Sequence, residues 1–282
     1  MKNILVPTDF SDNAFNAIRY AVQLYKGQET TFYLLHTYTP PIFQVEYLFY
    51  SPSQVGLGDP YQVKAIKQLQ ELKERLQREF DNPKYTFVTR AAFNTLTDEV
   101  LNMTLNERID LIVMGTKGVT GAKEILFGTN TIQVINKATC PVIAVPSGFE
   151  FEAPKSILFP TDYVINFDNE QLQQLLEISK KNDADVDVIH VSAGYELTKD
   201  QEKNKQKLNS VLDKINHQFH NLPDQGVIDA INQFLSKKKM NLLVMVRNKN
   251  TFLERLFVEP VIKKIGININ IPFMVVPYAD KK

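Results

Sequence analysis

Residues 2–9 read KNILVPTD and residues 155–162 read KSILFPTD, identical at six of eight positions and 153 residues apart. The likeness continues in order along the chain. LLHT (34–37) is answered by VIHV (188–191), LIVMGTKG (111–118) by LLVMVRNK (242–249), and PVIAVP (141–146) by PFMVVP (272–277). The last two pairs lie 131 residues apart, so the second copy lacks about twenty residues of the intervening chain. A period of this length is too long for a solenoid unit and marks a duplicated domain. The total of 282 residues agrees with two domains, since one domain usually takes about 100–200 residues.

Within each copy, short β-branched runs alternate with longer amphipathic stretches. In the first copy the runs are 4–6, 31–37, 85–89, 111–114 and 142–145. They lack in–out alternation, which predicts strands buried on both faces. Between them, residues 12–25, 62–80 and 96–107 carry apolar residues at helical spacing, with Leu69, Leu72 and Leu76 as one visible stripe. The second copy predicts strands at 157–159, 186–191, 215–219, 242–246 and 273–276, and helices at 168–181, 197–212 and 226–238. Strand and helix in turn give a parallel α/β sheet with right-handed crossovers. The pattern breaks at SGFEFEAP (147–154), which puts the domains at 1–147 and 154–279. The residues missing from the second copy fall mainly opposite 38–61, a stretch rich in proline, tyrosine and phenylalanine. A connection of that length in a compact domain is usually functional or mobile. Phe43, Tyr47, Phe49 and Tyr50 within it have three open roles: covering a ligand, meeting a partner, or packing on the second domain.

Charge narrows the function classes. Lys plus Arg equals Asp plus Glu at 32 each, and the two halves are close to neutral as well. Phosphate neutralisation supplies most nucleic-acid affinity and calls for a basic surplus, so a nucleic-acid partner is disfavoured. The single cysteine, Cys140, has no partner in the chain and no base nearby in sequence, and it reads as a buried structural residue in a reducing compartment. The start, MKNILVPTDF, turns polar and acidic before a signal-peptide core develops, and no apolar run approaches a membrane span. The expectation is a cytoplasmic protein with no membrane contact.

In an open parallel sheet, ligands bind beyond the carboxyl ends of the strands at the switch point. The first strand ends in Pro7, Thr8 and Asp9, the second in His36 and Thr37, and the fourth runs into Met114, Gly115, Thr116, Lys117 and Gly118. Gly128, Thr129 and Asn130 then open a helical stretch. Glycines at 115, 118 and 121 are expected to take positive φ and let backbone amides approach a ligand. A helix starting at Gly128–Thr129 presents unpaired N–H groups and partial positive charge, which suits a phosphate. Thr129 can cap that helix or donate its hydroxyl to the phosphate. The loop is neither a Walker A sequence nor a Gly-x-Gly-x-x-Gly dinucleotide fingerprint. Glycines alone are also compatible with a plain connecting turn.

The order and context of these elements resemble the nucleotide motif of the universal stress protein family. Gly115-x-x-Gly118, nine residues, then Gly128-Thr129 follow a strand ending in Met114 and precede a Cys-Pro-Val strand, while ILVPTDFS and LLHT resemble that family's first and second strands. The resemblance covers the whole first copy. It implies two tandem flavodoxin-like (adenine nucleotide alpha hydrolase-like) α/β domains. Each would hold a five-stranded parallel sheet, and the two would pack as an internal pseudo-dimer through their fifth strands. It also implies an adenine nucleotide, ATP with Mg²⁺, bound in the first domain. Pro7 and Asp9 would line the adenosine pocket beside Thr8, with Asp9 on the base or ribose and Thr37 presenting backbone to adenine. Gly115, next to Met114, would lie by the ribose, and Gly118, Gly128, Thr129 and the amide of Asn130 would hold the phosphates.

The second copy departs from the motif. Val246 stands for Gly115, Lys249 for Gly118, and Val258 and Glu259 for Gly128 and Thr129, so side chains and a negative charge occupy the phosphate positions. Asp162 remains, but without the loop. His36 and His190 recur in both copies, which favours a structural role at a strand end. His217 and His220, three apart in a strand, fall on opposite faces and do not suit a shared metal. Lys117 and Lys123 either reach the phosphates or stay solvated. No catalytic residue emerges. The expected function is a nucleotide-dependent stress-response binding module with an unidentified protein partner and room for homo-oligomerisation. The alternatives are a slow ATPase or phosphotransferase, and a nucleotide-free scaffold.

Overall fold

The structure is a computed structural model that describes residues 1–38, 60–116, 127–192, 196–223, 226–247 and 270–278. The first half runs β1 (Lys2–Pro7), α1 (Asp12–Leu24), β2 (Thr30–Tyr38), α2 (Pro60–Glu79), β3 (Tyr85–Phe93), α3 (Leu96–Asn106), β4 (Leu111–Gly115), α4 (Thr129–Lys137) and β5 (Val142–Val145). The second runs β6 (Ser156–Pro160), α5 (Gln173–Asn182), β7 (Asp185–Ser192), α6 (Lys199–Leu212), β8 (His217–Pro223), α7 (Val227–Lys237), β9 (Leu242–Arg247) and β10 (Phe273–Pro277). The ten strands form one sheet in the order β3-β2-β1-β4-β5-β10-β9-β6-β7-β8. Every neighbouring pair is parallel except β5·β10, where the halves meet antiparallel with Ile143 opposite Met274. The internal pseudo-dimer through the fifth strands is therefore present, and the two five-stranded sheets are continuous.

The short apolar runs form strands because they are covered on both faces, as their lack of alternation implies. On one face α1, α2, α5 and α6 pack against Ile4, Val6, Val113, Ile143, Met274 and Val276. On the other, α3, α4 and α7 pack against Leu5, Ile112, Met114, Val142, Phe273 and Val275. Both layers run through the two halves without interruption. In α2 the stripe of Leu69, Leu72 and Leu76 is buried as its spacing predicts. Helix starts follow local chemistry: Ser11 accepts from Ala14 N–H, Thr95 from Asp98 N–H, and Thr198 forms a capping box with Gln201.

Two boundaries differ from the sequence expectation. Helix α5 begins at Gln173 rather than at 168. The chain reaches it through 163–167, where Tyr163, Ile165 and Phe167 are buried while Val164 and Asn166 are exposed. Asp168 then accepts from Gln171 N–H at 2.9 Å and forms a turn before the helix. Strand β8 begins at His217 rather than at 215, because Ile215 N–H is spent on Leu212 C=O in the turn that closes α6.

Contacts on both faces reinforce the junction. Tyr25 Oη–H donates to Gln174 Oε1 at 3.0 Å in a buried setting, Lys2 Nζ lies 2.7 Å from Glu177 Oε2, and Lys181 Nζ donates to Leu24 C=O at 2.6 Å, near the C-terminal end of α1. On the opposite face Phe127 and Phe273 pack with ring centroids 5.8 Å apart. There Arg247 donates to Ile135 C=O and, at 3.0 Å, to Ala138 C=O. Among the described residues, no helix is long and apolar enough to cross a membrane.

A core shared in this way predicts that the halves unfold together. Met274→Ala, at a fully buried centre of the junction, is expected to cost about 2–5 kcal/mol. Urea titration followed by circular dichroism and by tyrosine fluorescence should show one shifted transition, coincident for both probes.

Candidate functional site

The PTD stretch that opens each half folds into a turn built from its own side chains. Thr8 N–H donates to Leu35 C=O at 2.7 Å, tying the turn to the end of β2. Thr8 Oγ1 accepts from Phe10 N–H at 3.0 Å, and Asp9 Oδ1 accepts from Ser11 N–H at 3.0 Å and from Ser11 Oγ–H at 2.6 Å. Phe10 sits at φ 63°, and Asp9 is exposed at the rim. His36 Nδ1 lies 2.8 Å from Thr8 C=O. A carbonyl only accepts, so Nδ1 carries a hydrogen and donates it. The imidazole also packs 4.5 Å from the Phe10 ring.

The second half repeats this turn. Thr161 Oγ1 accepts from Tyr163 N–H, Asp162 Oδ1 accepts from Val164 N–H, and Tyr163 sits at φ 58°. His190 Nδ1 donates to Thr161 C=O at 3.0 Å and stacks on Tyr163 at 4.7 Å. The recurring histidine holds the turn in both halves, which is the structural role its recurrence suggested.

At the end of β4 a second set of bonds places α4. Thr116 N–H donates to Val145 C=O at 3.0 Å, Gly128 N–H donates to Thr116 C=O at 2.6 Å, and Thr131 Oγ1–H donates to Gly115 C=O at 2.9 Å. The first turn of α4 is thereby bound directly to the tip of β4. Gly128, at φ −68° and ψ 158°, is the N-cap and supplies no side-chain cap. Thr129 is consequently the first helical residue, so the capping role expected for it does not occur.

Gly115 is explained differently from the expectation. Neither it nor Gly128 has positive φ, which among the described glycines belongs to Gly27 and Gly148. A Cβ on Gly115 would instead stand 2.4 Å from Asn13 Nδ2 and 3.2 Å from Asn13 O. Its lack of a side chain lets the first turn of α1 pack against the end of β4. In the second half Val246 pairs with Val276 as Gly115 pairs with Val145, and the adjoining helix does not start until Gln173. The substitution and the later helix start occur together in the second half.

Between these two constructions lies a cleft of about 260 Å³. The first turn contributes Pro7, Thr8 and Asp9, β2 contributes His36 and Thr37, and β4 contributes Met114 and Gly115. Gly128, Thr129, Asn130 and Thr131 close it from α4, with Ala14 and Leu96 completing the wall. All the sequence-derived candidate residues within the described chain are therefore brought together at the switch point. Gly118, with Lys117, Gly121 and Lys123, lies outside the described residues, as do Lys249, Val258, Glu259 and the aromatic residues Phe43, Tyr47, Phe49 and Tyr50. Sequence reasoning missed Asn13, Ala14, Leu96 and Thr131. Thr131 carried a usable signal, a hydroxyl two residues past the helix start, whereas Leu96 and Ala14 are ordinary helix residues until the fold closes.

Other reactive groups are otherwise engaged. Burial pushes the Cys140 thiol up to about 12, with Asp110 adding in the same direction. His220 Nε2 lies 2.8 Å from Asp187 Oδ1, whose other oxygen receives Lys238 Nζ at 2.6 Å, and His217 Nε2 faces Asn209 Oδ1 at 3.0 Å. Among the described residues, no three His, Cys, Asp or Glu side chains are grouped to hold a metal ion.

A doubled, doubly wound α/β chain with a helix N-terminus facing an aspartate turn across the switch point is the class that fold and cleft define. A family model described as the universal stress protein family matches residues 1–146, and the chain belongs to that family. Universal stress protein MJ0531 of Methanocaldococcus jannaschii is 28% identical over 149 residues, spanning 51% of this chain and 81% of its own length. Universal stress protein MJ0577 of the same organism is 27% identical over 154 residues, with 51% and 94% covered. A universal stress protein from Archaeoglobus fulgidus DSM 4304 matches the whole fold, with a TM-score of 0.68 at 16% identity over 99% of this chain and 97% of that one. The chain is thus a tandem member, about twice the matched length of its shorter relatives.

Gly115→Ala is expected to destabilise the protein by about 1–3 kcal/mol through overpacking, and Asn13→Ala in the same chain should restore most of the loss in a double-mutant cycle read by denaturant unfolding. Because its raised pKa leaves almost no thiolate, Cys140 should resist iodoacetamide at pH 8 in the folded protein and react promptly in urea. Fast labelling of the native chain would contradict its neutral, half-buried state.

Proposed function

We propose that the first half, residues 1–147, binds an adenine nucleotide, ATP with Mg²⁺, and that residues 154–279 are a copy that no longer does. The observation that carries this reading is the meeting of two features across one cleft: the N-terminus of α4, whose N-cap Gly128 supplies no side chain, and the PTD turn with Asp9 at its rim. Orphan N–H groups at a helix start, together with the positive end of its dipole, favour a phosphate. The family motif, intact through Gly115, Gly118, Gly128 and Thr129, supports the same assignment.

In this reading Pro7, Thr8 and Asp9 meet the nucleoside, with Asp9 accepting from the ribose or base. Thr37 presents backbone to adenine, and Met114 and Gly115 line the sugar side. Gly118, Gly128, Thr129 and the Asn130 amide receive the phosphates. Mg²⁺, which commonly binds through phosphates and few carboxylates, neutralises phosphate charge when bound. Phosphoryl transfer needs positioned cations and a group that orients the attacking water, and a binding module needs neither. The protein then acts in the cytoplasm as a stress-response component whose nucleotide state is read by a protein partner.

Small molecules released from the purified protein by denaturation should include an adenine nucleotide, and calorimetry with ATP and Mg²⁺ should show one site per chain. Asp9→Ala should weaken binding about ten- to hundredfold, as for a lost hydrogen bond to a charged group, and Gly118→Val should abolish it. Absence of released nucleotide together with no heat at millimolar ATP would sink the reading. Steady ADP production, lost in Asp9→Ala, would move the protein to the ATPase class.

A further inference from the structure

The residue after Val246 in the degenerate half is Arg247, which by strand register occupies the place of Thr116 in the first half. Thr116 bonds locally, to β5 and to Gly128. Arg247 leaves its own half. Its guanidinium crosses the junction and donates one N–H to Ile135 C=O and another, at 3.0 Å, to Ala138 C=O. Ile135 lies in the last turn of α4, and Ala138 is its C-cap. Carbonyls at a helix C-terminus lack intrahelical donors and carry the negative end of the dipole, so a forked cation there satisfies both needs at once. The Arg247 backbone is held in turn by Tyr278 N–H, which donates to its carbonyl at 3.0 Å, and by pairing with Pro277.

The opposite end of the same nine-residue helix lines the cleft without a side-chain cap. Thr131 bonds the N-terminal turn to β4, and Arg247 bonds the C-terminal turn to the second half. We infer that Arg247 is a positioning residue for the phosphate end of the first half's nucleotide site, supplied by the half that has no complete motif of its own. This rests on the reading of the cleft as a nucleotide site. The second half thus contributes to binding without touching ligand: it fixes the axis along which the α4 amides point and complements the dipole that attracts the phosphates. Linkage makes the effect reciprocal, so phosphate at one end of α4 tightens the hold of Arg247 on the other.

The full chain tests this with two ligands. Replacing Arg247 by Ala should weaken ATP–Mg²⁺ binding by about tenfold, the upper range for a partly buried charge at a helix end, and leave adenosine affinity unchanged. Arg247→Lys should recover part of the loss, keeping the charge but not the fork. In the ligand-free protein, amides of residues 134–138 should exchange faster in Arg247→Ala than in wild type. Equal ATP affinity in variant and wild type would overturn the inference while leaving the nucleotide reading intact. A parallel loss for ATP and adenosine would also overturn it, since that is the mark of general loosening. Wild-type protein that binds neither ligand would remove the nucleotide reading itself, and this inference with it. Should Arg247→Ala fail to fold, Arg247→Gln, which keeps a donor and removes the charge, serves for the same comparison.

Discussion

The antiparallel pairing of β5 with β10 is the constraint on which the rest of the molecule depends. Each half ends in a short, wholly apolar strand, and a buried parallel sheet with such a strand at its border exposes unpaired backbone and hydrophobic side chains together. Val142–Val145 and Phe273–Pro277 remove that exposure from each other. Once they pair, α1 and α5 meet on one face, where Tyr25, Gln174, Lys181, Lys2 and Glu177 bond. On the other face α4 meets Arg247. The two apolar layers then extend from end to end, and neither half has a core that stops at the boundary.

Duplication explains what is kept and what has changed. The PTD turn, its positive-φ aromatic residue and its histidine strut recur with nearly the same bond lengths. The turn therefore serves the fold in both halves, whatever the first half adds to it. The differences concentrate where the first half places α1 and α4 against the tip of β4. There a glycine has become valine, the neighbouring helix starts later, and a threonine has become an arginine that acts on the other half.

Most of the fold was legible in the sequence because buried parallel strands announce themselves as unbroken apolar runs and because each run appeared twice. The leucine stripe of α2 and the start of α4 were legible for similar reasons of period and composition. The start of α5 was not, since Asp168 reads as a helix start and only the folded chain shows that it closes a turn with Gln171 ahead of the helix. Within the candidate site, residue types and order located the cleft, but not the reasons for them. The steric demand on Gly115 comes from Asn13, a residue far away in sequence, and no local pattern reports it. Arg247 carried no signal in the sequence, because its acceptors are backbone carbonyls, which every residue possesses.

Joining the halves in one chain also alters what substitution can do. In a symmetric pair of identical chains, an exchange at the Gly115 position would appear in both copies at once, and so would any arginine beside it. Here the two sides of the pseudo-twofold are separate stretches of sequence, so one side could acquire Val246 and Arg247 while the other retained its glycine and threonine. Covalent tandem linkage is what permits an asymmetric division of labour across an interface whose geometry is inherited from symmetry.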